Sequence, residues 1–240
     1  MLRVRPLHFT SRPEEFTALL TVLGLVCVQD HGDWRVFDSG NGKVGLHRVP
    51  AGSAEDGTTS LGFEIRDREI FVRRTLEDGT HAELVDSRHG PTARVSAPDG
   101  TTFLADPVQD LSPMEPGPLT VLQLWHTTDR DGARKVLADI GARPVTDTPG
   151  GRSQFRAKNG GLTATHPAGQ NGVELCFGYD GELATLGARL TAAGVRSEQP
   201  DGHTLTIQSP EGTALRILRS PVLQQLPKHQ RQGSWGRTDT

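Results

Sequence analysis

Short runs of alternating apolar and polar residues fill much of this chain, separated by turns rich in Gly, Pro and Asp. A two-residue period marks strands with one buried face. Such strands are predicted at 5–10, 26–30, 34–38, 44–48, 60–65, 92–96 and 102–105. A second series is predicted at 120–126, 154–157, 162–166, 173–179, 204–208 and 214–218. Longer amphipathic stretches at 12–23, 68–76, 129–141 and 182–193 predict helices. The first closes on Leu23-Gly24 and the third on Ile140-Gly141, where glycine supplies the left-handed turn that ends a helix.

The two series repeat one another. Val95-Ser-Ala-Pro-Asp-Gly-Thr-Thr-Phe-Leu-Ala105 matches Ile207-Gln-Ser-Pro-Glu-Gly-Thr-Ala-Leu-Arg-Ile217, each reading as strand, Pro-acid-Gly turn and strand. Leu61-Gly-Phe-Glu-Ile65 matches Leu175-Cys-Phe-Gly-Tyr179. His47-Arg-Val-Pro-Ala-Gly52 matches His166-Pro-Ala-Gly169, and His8 precedes the first helix as His126 precedes the third. This order implies a first module at 1–110, a Pro-rich linker at 111–118, a second module at 119–220 and a flexible tail at 221–240. Trp235 lies in that tail.

Composition narrows the partners. With 26 Lys and Arg against 29 Asp and Glu, there is no basic surplus for phosphate contacts, so nucleic acid is not an expected partner. The longest apolar stretch is far short of a membrane span, and no secretory signal pattern opens the chain, so a cytoplasmic location is expected. Cys27 and Cys176 lie in apolar runs and are expected to be buried free thiols. Gly40-Asn-Gly42 and Gly160-Gly161 read as hairpin glycines. No helix follows them, so they are not phosphate loops.

Strand, helix and three strands, with a glycine helix end and a Pro-acid-Gly hairpin, resemble the vicinal oxygen chelate superfamily across residues 1–219. That superfamily contains glyoxalase I, extradiol dioxygenases and bleomycin-binding proteins. The resemblance implies an α+β fold in which two tandem βαβββ modules pair into a cupped mixed sheet with helices on the outside. It also implies where a metal would be held: Val4, Ser60 and Leu104 in one copy, Leu122, Glu174 and Arg216 in the other. Of these, only Glu174 can ligate a divalent ion, and no His-x-His, His-x-x-x-His or Cys-x-x-Cys pair occurs anywhere. No metal or other cofactor is therefore expected.

Strand parity from those positions turns His8, Glu64, His126, Glu174 and Arg216 into the cup. Trp34, with Phe37 nearby, is the candidate for stacking a ligand. Trp125, Leu175 and Phe177 have the opposite parity and should pack beneath helices. His47 and His166 read as turn or strand-end residues. The leading reading is a non-metal protein, monomeric or weakly dimeric, that binds a small organic molecule such as a toxic metabolite or antibiotic. The alternative is a metal-dependent lyase, isomerase or dioxygenase with displaced ligands such as His8, Glu64 and His126. A third reading is a cleft that serves protein association.

Overall fold

The computed structural model describes residues 1–87, 90–109, 115–147 and 151–219. The expected tail, with Trp235, and positions 111–114 of the expected linker lie outside the described residues. One pattern of strand, helix and three strands runs through the chain four times, twice in each half. The first run is β1 (Leu2–Val4) with β2 (Leu7–Thr10), α1 (Pro13–Leu23), β3 (Val26–Asp30), β4 (Trp34–Asp38) and β5 (Lys43–Arg48). The second is β6 (Thr59–Ser60) with β7 (Gly62–Ile65), α2 (Arg68–Glu77), β8 (His81–Ser87), β9 (Gly90–Ser96) and β10 (Thr102–Pro107). The third is β11 (Leu119–Thr127), α3 (Arg130–Asp139), β12 (Arg143–Asp147), β13 (Ser153–Arg156) and β14 (Leu162–Pro167). The fourth is β15 (Gly172–Tyr179), α4 (Leu183–Ala192), β16 (Ser197–Asp201), β17 (Thr204–Gln208) and β18 (Ala214–Arg219).

Local chemistry sets the helix ends. Pro13 opens α1, Glu14 and Glu15 favour its positive N-terminus, and Gly24 (φ 101°) closes it. The Asp129 side chain accepts the Gly132 N–H at the start of α3, and Asp67 does the same for Ile70 at α2. Phe16, Leu20 and Leu23 of α1, Val136 and Leu137 of α3, and Leu186 and Leu190 of α4 sink into one shared core. Trp125, Leu175 and Phe177 join it, as their parity implies.

In the second half the strands form one sheet in the order β12-β13-β14-β11-β15-β18-β17-β16. The first half has the same order, but its sheet is broken in the middle. Leu2–Val4 pair with Ile65–Phe63, and Leu7–His8 pair with Ser60–Thr59, in a single unshifted register. β1 and β2 are thus one strand interrupted at Pro6, which has no N–H to continue a ladder. The second-half sheet curls, since one cavity touches both Thr146 of β12 and Thr204 of β17, near its opposite edges.

Three expectations change. The helix starts, Arg12 and Asp129, set the true repeat offset, and Thr10 and Thr127 confirm it by each accepting the N–H two residues on. That offset aligns His126 with Phe9 rather than His8, and Leu122 with Arg5 rather than Val4. Val4 and His8 therefore face the helix-side core and not the cup. Cys27 is exposed, because β3 is a sheet edge; Cys176 is buried as expected, and both are free. The strands β8, β12 and β16, absent from the sequence reading, are also sheet edges.

Candidate ligand site

Parity along β11 separates Val121 and Trp125, in the core, from Leu122, Leu124 and His126 on the opposite face. Pairing then assembles the site. His126 lies beside His166 of the parallel strand β14. Leu124 lies opposite Glu174 of β15, and Leu122 opposite Cys176, which neighbours Arg216 of β18. Leu122, Leu124, Leu162, Ala164 and Cys176 pack into a small apolar floor. Beside it opens a cavity of about 280 Å³ bordered by Leu122, Leu162 and Leu218 with Arg152, Gln154 and Arg219.

The polar groups form a connected row. Arg216 Nε donates to Glu174 Oε1 at 2.6 Å, and Arg216 Nη2 donates to Glu174 Oε2. His126 Nε2 lies 3.3 Å from the same carboxylate, and the His126 and His166 rings meet edge-on at 5.7 Å. Partial burial pushes Glu174 up, but the bonds and charge of Arg216, helped by His126, outweigh it and hold the carboxyl below its usual range. The bond to Glu174 raises the Arg216 guanidinium against its burial. Burial first, then Arg152, His126 and Arg216, lowers His166. Burial, with Glu174 next to it, pushes the Cys176 thiol up to about 12, so it is no nucleophile at neutral pH.

Of the six residues singled out by sequence, the structure brings together His126, Glu174 and Arg216. His8 is elsewhere: 1% exposed, it packs on Phe16 at 4.3 Å, and its Nδ1 is 2.9 Å from Thr59 Oγ1. Glu64 lies on the face away from the helix-side core, as its parity implies, but it is 3% exposed and closed in by Lys43 at 3.3 Å and Arg3 at 3.5 Å, so it is a buried ion-pair partner and not open to a ligand. Trp34 lines a different cavity, in the first half. His166 and Arg152 were missed. Counting alternate residues along Leu162, Ala164 and His166 would have found the histidine. Arg152 precedes β13, before the expected strand begins.

No family model matches the sequence, and no curated protein does. Solved structures do match in shape. Homoprotocatechuate 2,3-dioxygenase from Brevibacterium fuscum superposes with a TM-score of 0.59 at 17% identity, over 91% of this chain and 70% of that one. Its complex with 3,4-dihydroxyphenylacetate gives 0.58 at 16%, over 91% and 79%. This chain has the vicinal oxygen chelate fold. The likeness is to extradiol ring-cleaving dioxygenases, and at such identity it carries the fold and not the reaction. Among the described residues, no helix is long and apolar enough to cross a membrane.

The fold implies a metal, and the side chains do not fit one. With the repeat offset corrected, the implied positions hold Arg5, Ser60 and Leu104 in one half and Leu122, Glu174 and Arg216 in the other. Both oxygens of Glu174 are taken by Arg216, and a guanidinium stands where a cation would sit. No group of three His, Cys, Asp or Glu among the described residues is arranged to hold an ion.

Proposed function

We propose that the second-half cup captures a small organic carboxylate without a metal. The observation behind this is Arg152, which borders the cavity and has no ion pair among the described residues. Arg219, held by Glu182, lines the same cavity, and His126 and His166 stand beside the apolar floor. Arg152 is the ready partner for a carboxylate, and the floor takes the ligand's apolar part. About 280 Å³ suits a molecule of one ring and a short side chain.

The shared fold with ring-cleaving dioxygenases weighs toward a second reading, an enzyme of that class, more than toward capture. Its ligands would have to come from His126, His166 and Glu174, on three adjacent strands, with Arg216 swung aside. Side-chain chemistry weighs the other way, and one titration separates the two. With 3,4-dihydroxyphenylacetate as probe, capture predicts the same affinity in chelator and in ferrous iron, and no ring-cleaved product. Arg152→Ala should weaken binding by about 1–3 kcal/mol and leave the melting temperature nearly unchanged. Iron-dependent binding or ring cleavage, lost in His126→Ala and His166→Ala, would establish the enzyme instead.

His166 adds a pH dependence. Its folded pKa is lowered, so it is neutral above the ordinary histidine value, about 6.5, and gains charge only below it. Stability from its neutral form is present above that value and is lost as pH falls through the lowered one. A bound carboxylate reverses the preference, so probe affinity should rise as pH drops over that range. Calorimetry at several pH values should show proton uptake on binding, absent in His166→Asn. An unchanged profile in that variant would remove His166 from the site.

A further inference from the structure

A second cavity, of about 180 Å³, lies in the first half and plays no part in the site above. Leu7, Phe9, Trp34 and Leu104 form its walls on the cup face of that sheet. The strand segments at Leu61 and Phe103 also border it. Gly45 contributes too: a Cβ there would lie 2.8 Å from the Trp34 ring, so glycine lets the indole lie against the strand.

The polar side of this cavity is incomplete. The Arg5 guanidinium sits 5.3 Å from the centre of the Trp34 ring and is ion-paired with Asp106. Arg5 Nε, however, is buried with no hydrogen-bond partner among the described residues. A buried donor without an acceptor is costly, and a ligand oxygen beside it would remove that cost.

We propose that this cavity is a second ligand site, for a single neutral aromatic ring bearing one acceptor oxygen. An apolar cavity of about 150 Å³ is known to admit benzene, so this volume suits one substituted ring. Trp34 and Phe9 supply aromatic surface. The ligand is neutral because Asp106 already balances Arg5 and would repel a carboxylate placed next to it. The two halves thus differ in chemistry: an arginine-lined cup in one, an aromatic cavity in the other.

The test is a titration of the full chain with acetophenone, followed by NMR of the indole N–H signals. The Trp34 signal is the one missing from Trp34→Phe. The expected result is a saturable shift of that signal at millimolar acetophenone, with much weaker effects from benzoate and from cyclohexyl methyl ketone. Ser60→Phe, which fills the cavity, should weaken binding about tenfold or more, with the buried Trp125 signal unmoved as proof of folding. If Ser60→Phe does not fold, Leu104→Phe serves the same purpose. A fixed Trp34 signal, equal binding of benzoate, or wild-type affinity in a folded cavity-filled variant overturns the site. So does loss of the shift in Arg216→Ala, which would put the probe in the other cup; retention there supports the proposal and separates it from the carboxylate site.

Discussion

Leu175→Ala should cost about 2–5 kcal/mol of unfolding free energy, while Glu174→Ala, one residue away, costs about 1 kcal/mol. The contrast follows from the pleat of β15, which sends neighbours to opposite faces. Leu175 is 1% exposed and lies in the core that also takes Val136 and Leu137 of α3 and Leu186 and Leu190 of α4. Truncation there leaves a cavity that rigid neighbours on both sides cannot close. Glu174 faces the open cup, and its loss leaves an Arg216 side chain that is 36% exposed and can turn to water. Urea unfolding of both variants measures the difference. If Glu174→Ala is the damaging change and Leu175→Ala the mild one, the two faces of this sheet have been assigned the wrong way round.

The sequence carries this face assignment in the second half and along β7, and misplaces it along β1 and β2, for a definite reason. The hairpins 95–105 and 207–217 repeat because a Pro-acid-Gly turn needs its glycine: Gly100 and Gly212 have φ values of 86° and 85°. Helix ends at Gly24 and Gly141 are legible for the same reason. Histidines invite alignment with one another, yet His8 and His126 differ by one residue in the true register, and one residue reverses a strand's face. The aligned feature is instead Thr10 with Thr127, two hydroxyls that carry no pattern of their own. Edge strands such as β12 are solvated on both sides, so they lack the alternation that reveals a strand. The doubling of strand, helix and three strands within each half was hidden by the unread edges β8, β12 and β16. The break at Pro6 was legible as a proline but not as the point where a sheet splits, because its consequence depends on a partner strand more than fifty residues away.

The repeated hairpin also has a use that its sequence does not announce, and Glu211→Ala should expose it by costing about 2–3 kcal/mol. Each hairpin places its acid on the other half of the chain. Asp99 accepts a hydrogen bond from the Thr127 hydroxyl at 2.6 Å, and Glu211 accepts one from Thr10. Thr10 and Thr127 are both buried and both brace the entry to a helix, so the two contacts form a reciprocal clasp between the halves. Glu211 is the more enclosed of the acids: its side chain is 7% exposed, and its second oxygen lies 3.8 Å from His8 Nε2. Burial pushes its carboxyl up, but His8, Thr10 and nearby bonds prevail and hold it below the ordinary value. The folded state therefore favours the charged form. That stability is present above the ordinary carboxylate value, about 4.3, and is lost as pH falls through the lowered one. Glu211→Ala should leave the Thr10 hydroxyl without its acceptor and flatten this part of the acid limb of the stability curve. Glu211→Gln can still accept from Thr10, so it should recover part of the stability at neutral pH but none of the pH dependence. Asp99→Ala, at a more open contact, should cost about 1–2 kcal/mol, and the two losses should add, because the contacts share no partner. Denaturant unfolding of the three single variants and the double variant, at neutral pH and at mildly acid pH, reads all of this. If Glu211→Gln unfolds like wild type across the acid limb, the carboxylate charge is not what holds this end of the clasp.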